Sequence, residues 1–301
     1  MTAQDLKLEF FYFRKAFLEY RQGMRYIKNK YFFAREIIRG SGVLEKPITT
    51  QDLSIHVFTS HRDLIMLLWA LASFYRVCQT IGQLFVHSDG TLNAADASIL
   101  KEKLPTARLI KPEEFLRRHL GELEQYPVIK RFRLDYPRYL LLKKLIDPFF
   151  VSDRKSRLII DSDVLWFQEP KELEEAIAQG CPQSLMMGNN SECFVYFKGG
   201  NVVSAELARF NSGVVLYAKQ HFSLKELSAY FERLDVGDDR NIHFIEQVGY
   251  ASCLENLAKL SIERYSIRDL VGIGTVAKHY TSPRRPLFFI EGLEILGKKL
   301  F

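Results

Sequence analysis

Cysteine is scarce in this chain: Cys78, Cys181, Cys193 and Cys253 are the four in 301 residues, and their spacing offers neither metal-ligand pairs nor a disulfide framework. A reducing compartment is the plain reading. Long apolar runs are missing as well. The longest, Leu64 to Tyr75, falls short of the about 20 residues that a bilayer-spanning helix needs. The opening residues carry Asp5, Lys7 and Glu9 without the hydrophobic core or cleavage site of a secretory signal, so a cytoplasmic protein is expected. Neither the glycine-rich fingerprint of dinucleotide-binding oxidoreductases nor the phosphate loop of NTPases occurs. Gly272-x-Gly274 does not replace them, because no strand-to-helix context surrounds it. There is no internal repeat and no low-complexity segment.

What is present begins with an uneven charge. Residues 1–40 hold nine Lys or Arg against four acids, so most of the formal net charge of +6 lies there. The remainder is close to neutral, which argues against nucleic acid as the partner of the main body. In the same segment Leu6, Phe10, Phe13, Phe17, Tyr20, Met24, Ile27, Tyr31, Ala34 and Ile38 are spaced alternately four and three apart, a helical seam that stops at Gly40-Ser41-Gly42. Residues 1–42 therefore read as a basic, aromatic, amphipathic helical appendage, and 43–301 as the main domain. Its apolar side has three outlets: its own domain, a twin subunit as a homodimer, or peripheral contact with an anionic membrane.

The main domain alternates strand and helix. Leu53 to Ser60 reads as a strand, Asp63 opens a helix to about Tyr75, Gln83 to Gly90 is a second strand and turn, Asn93 to Lys103 a helix, and Ala107 to Ile110 a third strand. A helix from about Pro137 to Phe149, with Arg138, Lys143 and Lys144, leads to the strand at Arg157 to Phe167. Another helix starts at Pro170-Lys171-Glu172-Leu173; strands follow near Ser184 to Met187 and Cys193 to Phe197, then a turn at Lys198-Gly199-Gly200-Asn201. This order implies an α/β fold, a mixed and mostly parallel sheet flanked by helices.

The strand Arg157 to Phe167 carries Asp161 and Asp163 one residue apart. Alternate side chains of a strand point to one side, so the two carboxylates face together with Ser162 opposite, at the edge where open α/β sheets bind ligands. Hard oxygen ligands suit Mg²⁺ or Mn²⁺, and such ions commonly bridge phosphates. Two acids after a strand are also the mark of an ordinary solvated turn.

Five short segments, in order, resemble the GT-A class of nucleotide-sugar glycosyltransferases and most closely its glycogenin-like family: Phe58-Thr59-Ser60, Ser88-Asp89-Gly90, Asp161-Ser162-Asp163, Phe210-Asn211-Ser212-Gly213-Val214, and His279-Tyr280 followed by a basic pair. The chain resembles a bacterial-type relative of that family. It departs at the tail, where His279-Tyr280-Thr281-Ser282-Pro283-Arg284-Arg285-Pro286 stands in place of a glycine and a Lys-Pro-Trp element.

The resemblance implies a GT-A fold and a retaining hexosyltransferase that uses a nucleoside diphosphate sugar, with UDP as the nucleotide and Mn²⁺ (or Mg²⁺) as cofactor. Asp161, Asp163 and His279 would be the metal ligands. Thr59, Ser60, Asp89 and Ser162 would contact the nucleoside, Lys144 the donor sugar or phosphates, and Arg284 or Arg285 the leaving diphosphate. Asn211, Ser212 and Gly213 would line the sugar pocket. Glu246 and Gln247, where the family carries an acidic or amide pair, would orient sugar hydroxyls or stabilise charge at the anomeric carbon, as an oxocarbenium-like transition state requires. The acceptor, a glycan, lipid or protein, is left open. A second reading is a catalytically weak GT-A-fold module for binding or assembly through its amino-terminal helix. Nucleotidyl transfer to a sugar phosphate is disfavoured, because no glycine-rich basic loop follows the first strand.

Overall fold

Runs of Val, Ile, Leu and Phe buried on both faces build the centre of the molecule, described here from a computed structural model over residues 3–136 and 141–300. Strands β1 (Leu53–Thr59), β2 (Gln83–Ser88), β3 (Arg108–Ile110), β4 (Ser156–Asp161), β6 (Ser184–Gly188), β7 (Phe210–Ala218) and β8 (Leu257–Leu260) form a seven-stranded sheet in the order β3-β2-β1-β4-β7-β6-β8. All run parallel except β7, which is antiparallel to both neighbours. A small second sheet joins β5 (Val164–Trp166), β10 (Ala277–His279) and β9 (Tyr265–Ser266). Helices cover both faces, and two hydrophobic clusters lie on either side of the large sheet. This is the mostly parallel, helix-flanked α/β architecture expected.

Local chemistry accounts for the elements. Asn93 caps the helix Ala94–Lys103 in a reciprocal capping box with Asp96. Prolines open Pro112–Leu123 and Pro127–Asp135 at positions where no backbone N–H is needed. The helix Leu141–Val151 ends against Arg157, a buried β4 residue whose guanidinium donates to the carbonyls of Pro148, Phe149, Ser152 and Arg154. These bonds satisfy the orphan carbonyls of the helix end and fix the helix carrying Lys144 over β4. Residues 137–140, including Arg138 of the expected Pro137 to Phe149 helix, lie outside the described residues.

Two expectations need correction. Cys193 to Phe197 is not a strand; only isolated bridges from Tyr196 to Val202 and from Phe197 to Leu234 form there. This continuous apolar run instead lies in a loop with Cys193, Val195 and Phe197 buried, where the backbone of Tyr196 bonds to the Asn241 side chain. The strand Arg157 to Phe167 is also not continuous. It breaks at Ser162 and Asp163, and Val164–Trp166 then leaves the large sheet to pair with β10.

The amino-terminal seam differs most. The chain reverses at Arg21, which takes a left-handed conformation (φ 53°), so Ala3–Arg14, extended by a wider turn over Lys15–Glu19, is followed by a separate helix Gly23–Tyr31. No single stripe can persist through that corner. The residues that are buried are Tyr12, Ala16, Gly23, Tyr26, Ala34 and Ile37. Ala16, Gly23 and Ala34 let the backbone approach closely: a Cβ on Gly23 would fall 2.1 Å from the Phe17 ring, and the Ala34 carbonyl accepts a hydrogen bond from the Trp69 indole at 2.9 Å. Leu6, Phe10, Phe13 and Met24 of the expected seam are exposed. Among the described residues no helix is long and apolar enough to cross a membrane, and the four cysteines are buried free thiols.

Strands β1 and β2, whose ends carry Thr59 and Asp89, hold a buried histidine pair. His56 Nδ1 and His87 Nε2 are 3.0 Å apart, and both rings stack on phenylalanines, His56 on Phe85 and His87 on Phe58. Burial, reinforced by the neighbouring His87 and Arg157, pushes His56 well below its ordinary pKa; burial and Arg133 push His87 down to about 3. Both are therefore neutral in the native state at neutral pH, whereas the unfolded chain takes up protons below about pH 6.5. Their stabilisation is complete above about pH 6.5 and declines as pH falls toward 3, by roughly 4 kcal/mol for the pair at pH 5. Urea unfolding at pH 7.5 and pH 5 is expected to show about half that extra acid sensitivity in His87→Gln. Equal pH dependence in variant and wild type would show that the pair is not responsible.

Candidate active site

The carboxyl edge of the large sheet gathers charged side chains from segments distant in sequence. Asp161 is the last residue of β4, and Asp163 follows in the turn, with the buried Ser162 between them. His279 ends β10, which pairs with β5 through His279 and Val164. The break in the expected strand therefore matters, because the β5 excursion is what delivers the histidine to the two acids. His279 Nε2 lies 3.0 Å from Asp163 Oδ1 and 3.4 Å from Asp161 Oδ2.

The imidazole is fixed from behind. Asn211 Oδ1 is 2.8 Å from His279 Nδ1 and also accepts the Gly213 N–H at 2.9 Å. That oxygen can only accept, so Nδ1 carries a proton and Nε2 is the nitrogen turned toward the carboxylates. Gly213 is required for this fit, since a Cβ there would lie 2.3 Å from Nδ1.

Two cations balance the carboxylates. Lys144, fully buried, donates to the Ser212 carbonyl at 2.8 Å and Glu246 Oε1 at 2.8 Å, and pairs with Asp161 Oδ1 at 2.6 Å. Its three N–H bonds are thereby used. Burial opposes its charge, yet Asp161 and Glu246 outweigh burial and raise its pKa. Arg285 donates to Asp163 Oδ2 at 3.1 Å and Asp63 Oδ1 at 2.8 Å. Burial would raise the Asp163 pKa, but His279 and Arg285 together hold it below the usual carboxylate range. Glu246 also accepts from the Ser212 hydroxyl at 2.5 Å. Burial raises its pKa, Lys144 works against the rise, and Asp161 adds to it.

The other expected residues divide. Asn211 donates to Gln247 at 3.4 Å, which joins Gln247 to the group. Glu246 Oε2 and Gln247 Nε2 are buried without a hydrogen-bond partner among the described residues, an acceptor and a donor side by side in sequence. Thr59, Ser60 and Asp89 share the sheet edge but bond among themselves and their own turns: the Thr59 carbonyl accepts from the Asp89 N–H, Ser60 Oγ from the Asp63 N–H, and Asp89 Oδ1 from Thr91. Of the basic pair Arg285 reaches the cluster; among the described residues no hydrogen bond or ion pair brings the Arg284 side chain to it. Asp63 was legible only as a helix opener, and no local signal reveals a partner 222 residues away.

The arrangement fits a divalent cation. Ligand atoms of Asp161, Asp163 and His279 all lie within 4.8 Å of one another, and a ring nitrogen 3.0 and 3.4 Å from two carboxylate oxygens calls for a proton or a cation between them. Formally, Asp63, Asp161, Asp163 and Glu246 against Arg62, Lys144 and Arg285 leave a net negative charge, which favours a cation.

No protein-family model matches the chain, and no curated protein does. Solved structures do. The apo structure of WbbM, a bifunctional glycosyltransferase, is similar with a TM-score of 0.52 at 11% identity over 86% of this chain, which spans 53% of that one. Mouse xyloside xylosyltransferase 1, in its apo form, gives 0.47 at 12% identity, covering 78% of this chain and 98% of that one. The galactosyltransferase LgtC, in complex with donor and acceptor sugar analogues, gives 0.47 at 13% identity, covering 81% and 95%. The fold is of the GT-A glycosyltransferase type.

The packing of Gly213 against His279 yields a test. Gly213→Ala must displace the imidazole, and disturbing the support behind a metal ligand typically weakens binding about 10–100-fold. Calorimetric titration with Mn²⁺ is expected to show at least a tenfold loss of affinity; unchanged affinity would remove His279 from the ligand set.

Proposed function

We propose that the protein is a metal-dependent glycosyltransferase that moves a sugar, taken to be a hexose, from a nucleoside diphosphate donor, UDP-sugar foremost, to an acceptor hydroxyl of a glycan, lipid or protein. The observation that carries this is the convergence of Asp161, Asp163 and His279 at the carboxyl edge of a GT-A sheet. These three residues would hold Mn²⁺ (or Mg²⁺), whose charge would assist departure of the diphosphate.

The chain's own residues supply the rest. In transfer, the bond from the anomeric carbon to the diphosphate oxygen breaks, the diphosphate leaves with the electron pair, and the acceptor oxygen bonds to the carbon and gives its proton to the departing diphosphate. Arg285, already on Asp163, adds positive charge on the diphosphate side. Lys144 acts by holding Asp161 and Glu246, since its donors are occupied. The unpartnered Glu246 Oε2 and Gln247 Nε2 are assigned to sugar hydroxyls, and Glu246 also to the positive charge that develops at the anomeric carbon. Thr59, Ser60 and Asp89, on the β1 and β2 side, are assigned to the nucleoside. Retention of configuration is the stereochemical outcome we assign, and it is read from the product anomer by NMR.

Thermal unfolding with UDP, GDP, ADP and TDP, each with and without Mn²⁺, tests the reading on wild type and Asp163→Ala. At a hundredfold excess over Kd a ligand adds about 2.7 kcal/mol of stability. The expected result is a Tm rise with UDP that needs both Mn²⁺ and Asp163. No rise with any nucleotide would refute nucleotide-sugar transfer. Glu246→Gln is expected to keep that rise while slowing turnover of the donor roughly 10²-fold or more, the usual cost of losing one charge-stabilising group. Unimpaired turnover would take Glu246 out of the chemistry.

A further inference from the structure

The helix Ala3–Arg14 uses only half of its circumference to hold the body. Its inner side carries Leu8 and Tyr12, with Tyr12 buried beside Arg285 and Asp5 paired with Arg62 at 3.7 Å. On the opposite side Leu6, Phe10 and Phe13 fall four and three residues apart, hence on one face, and are 53%, 68% and 37% exposed. Leu18 and Met24, at the corner into the next helix, are 71% and 72% exposed. Covering large apolar side chains is favourable, and an exposed stripe of them marks an interaction surface.

Charge identifies what covers it. The acids of this region are engaged within the molecule: Asp5 with Arg62, Glu9 with Lys30, Glu19 with Lys15 and Glu36 with Arg39. Lys7, Arg14, Arg21, Lys28 and Arg35 are exposed and have no acidic partner among the described residues. Lys7 and Arg14 follow Leu6 and Phe13 by one residue each, which puts them along one flank of the apolar stripe. A second copy of the chain docked by a two-fold axis through this stripe would set those cations against their own equivalents. An anionic lipid surface satisfies both features, with aromatics at the acyl boundary and cations at the headgroups.

We propose that the outer face of this helix, centred on Leu6, Phe10 and Phe13 and flanked by Lys7 and Arg14, binds the surface of anionic membranes without crossing them. The proposal does not depend on glycosyl transfer. Its test is co-sedimentation of the full chain with phosphatidylcholine vesicles with and without phosphatidylglycerol, alongside its mass by light scattering. Binding is expected only to the anionic vesicles and is expected to weaken with salt. Phe10→Ser with Phe13→Ser is expected to weaken it at least tenfold, and Lys7→Gln and Arg14→Gln about fivefold each. These positions are exposed, so an unchanged Tm checks that each variant remains folded. Absence of binding, equal binding to neutral vesicles, or binding indifferent to the Phe substitutions overturns the proposal. A dimer that dissociates in the Phe variant also overturns it and gives the face to a second copy.

Discussion

One buried ammonium group organises the site. Lys144 joins the helix Leu141–Val151 to Asp161 of β4, to the Ser212 carbonyl of β7 and to Glu246 of the helix Ile245–Cys253. Without it the buried Glu246 would lose its cation beside the half-buried Asp161, and removing one partner of a buried ion pair costs about 3–5 kcal/mol. Its surroundings make the position rigid. The Tyr250 hydroxyl donates to the Lys144 carbonyl at 2.5 Å, Gly249 admits Leu145 to a distance no side chain would allow, and Arg157 ties the far end of the helix to β4. The ion pair therefore sits where two helices packed on one face meet the edge of the sheet, and the orientation of Asp161 follows from packing as much as from charge.

The site divides into two halves with different tasks. On one side Lys144, Ser212 and Glu246 are fully enclosed, and two polar atoms there have no hydrogen-bond partner among the described residues. On the other, Arg285 ties the turn after β4 to Asp63 at the start of the helix Leu64–Val77. His279 stands between the halves with its protonated nitrogen turned to the scaffold. A group that needs hydroxyl recognition and a group that needs charge neutralisation would thus meet different walls of one cleft.

Much of this was legible from residue order. The strand ends at Thr59, Asp89 and Asp161 follow from apolar runs bounded by polar turns, and the late histidine could be placed through the ordered set of motifs. What escaped has physical reasons. The amino-terminal seam reads as one continuous stripe, but a left-handed residue at Arg21 resets the helical phase, and the residues that are buried, Tyr12, Ala16, Gly23, Tyr26, Ala34 and Ile37, mostly lie off that stripe. The Cys193 to Phe197 run has the pattern of a strand, yet its backbone hydrogen bonds are scattered over Ala208, Val203, Asn201 and, at Tyr196, the Asn241 side chain instead of one neighbouring strand. Asp63 has an unremarkable local setting, and its role depends on a tertiary pairing with Arg285.

The close approach of Gly213 to His279 also bears on how the sequence can diverge. Because the imidazole occupies the volume that a side chain at 213 would need, and its orientation is held by Asn211, positions 211, 213 and 279 form one heritable unit. A lineage that keeps the histidine must keep the glycine, whereas one that loses the histidine releases 213 to vary. Relatives are expected to show the three positions changing together, so that a side chain at 213 by itself signals a rebuilt centre.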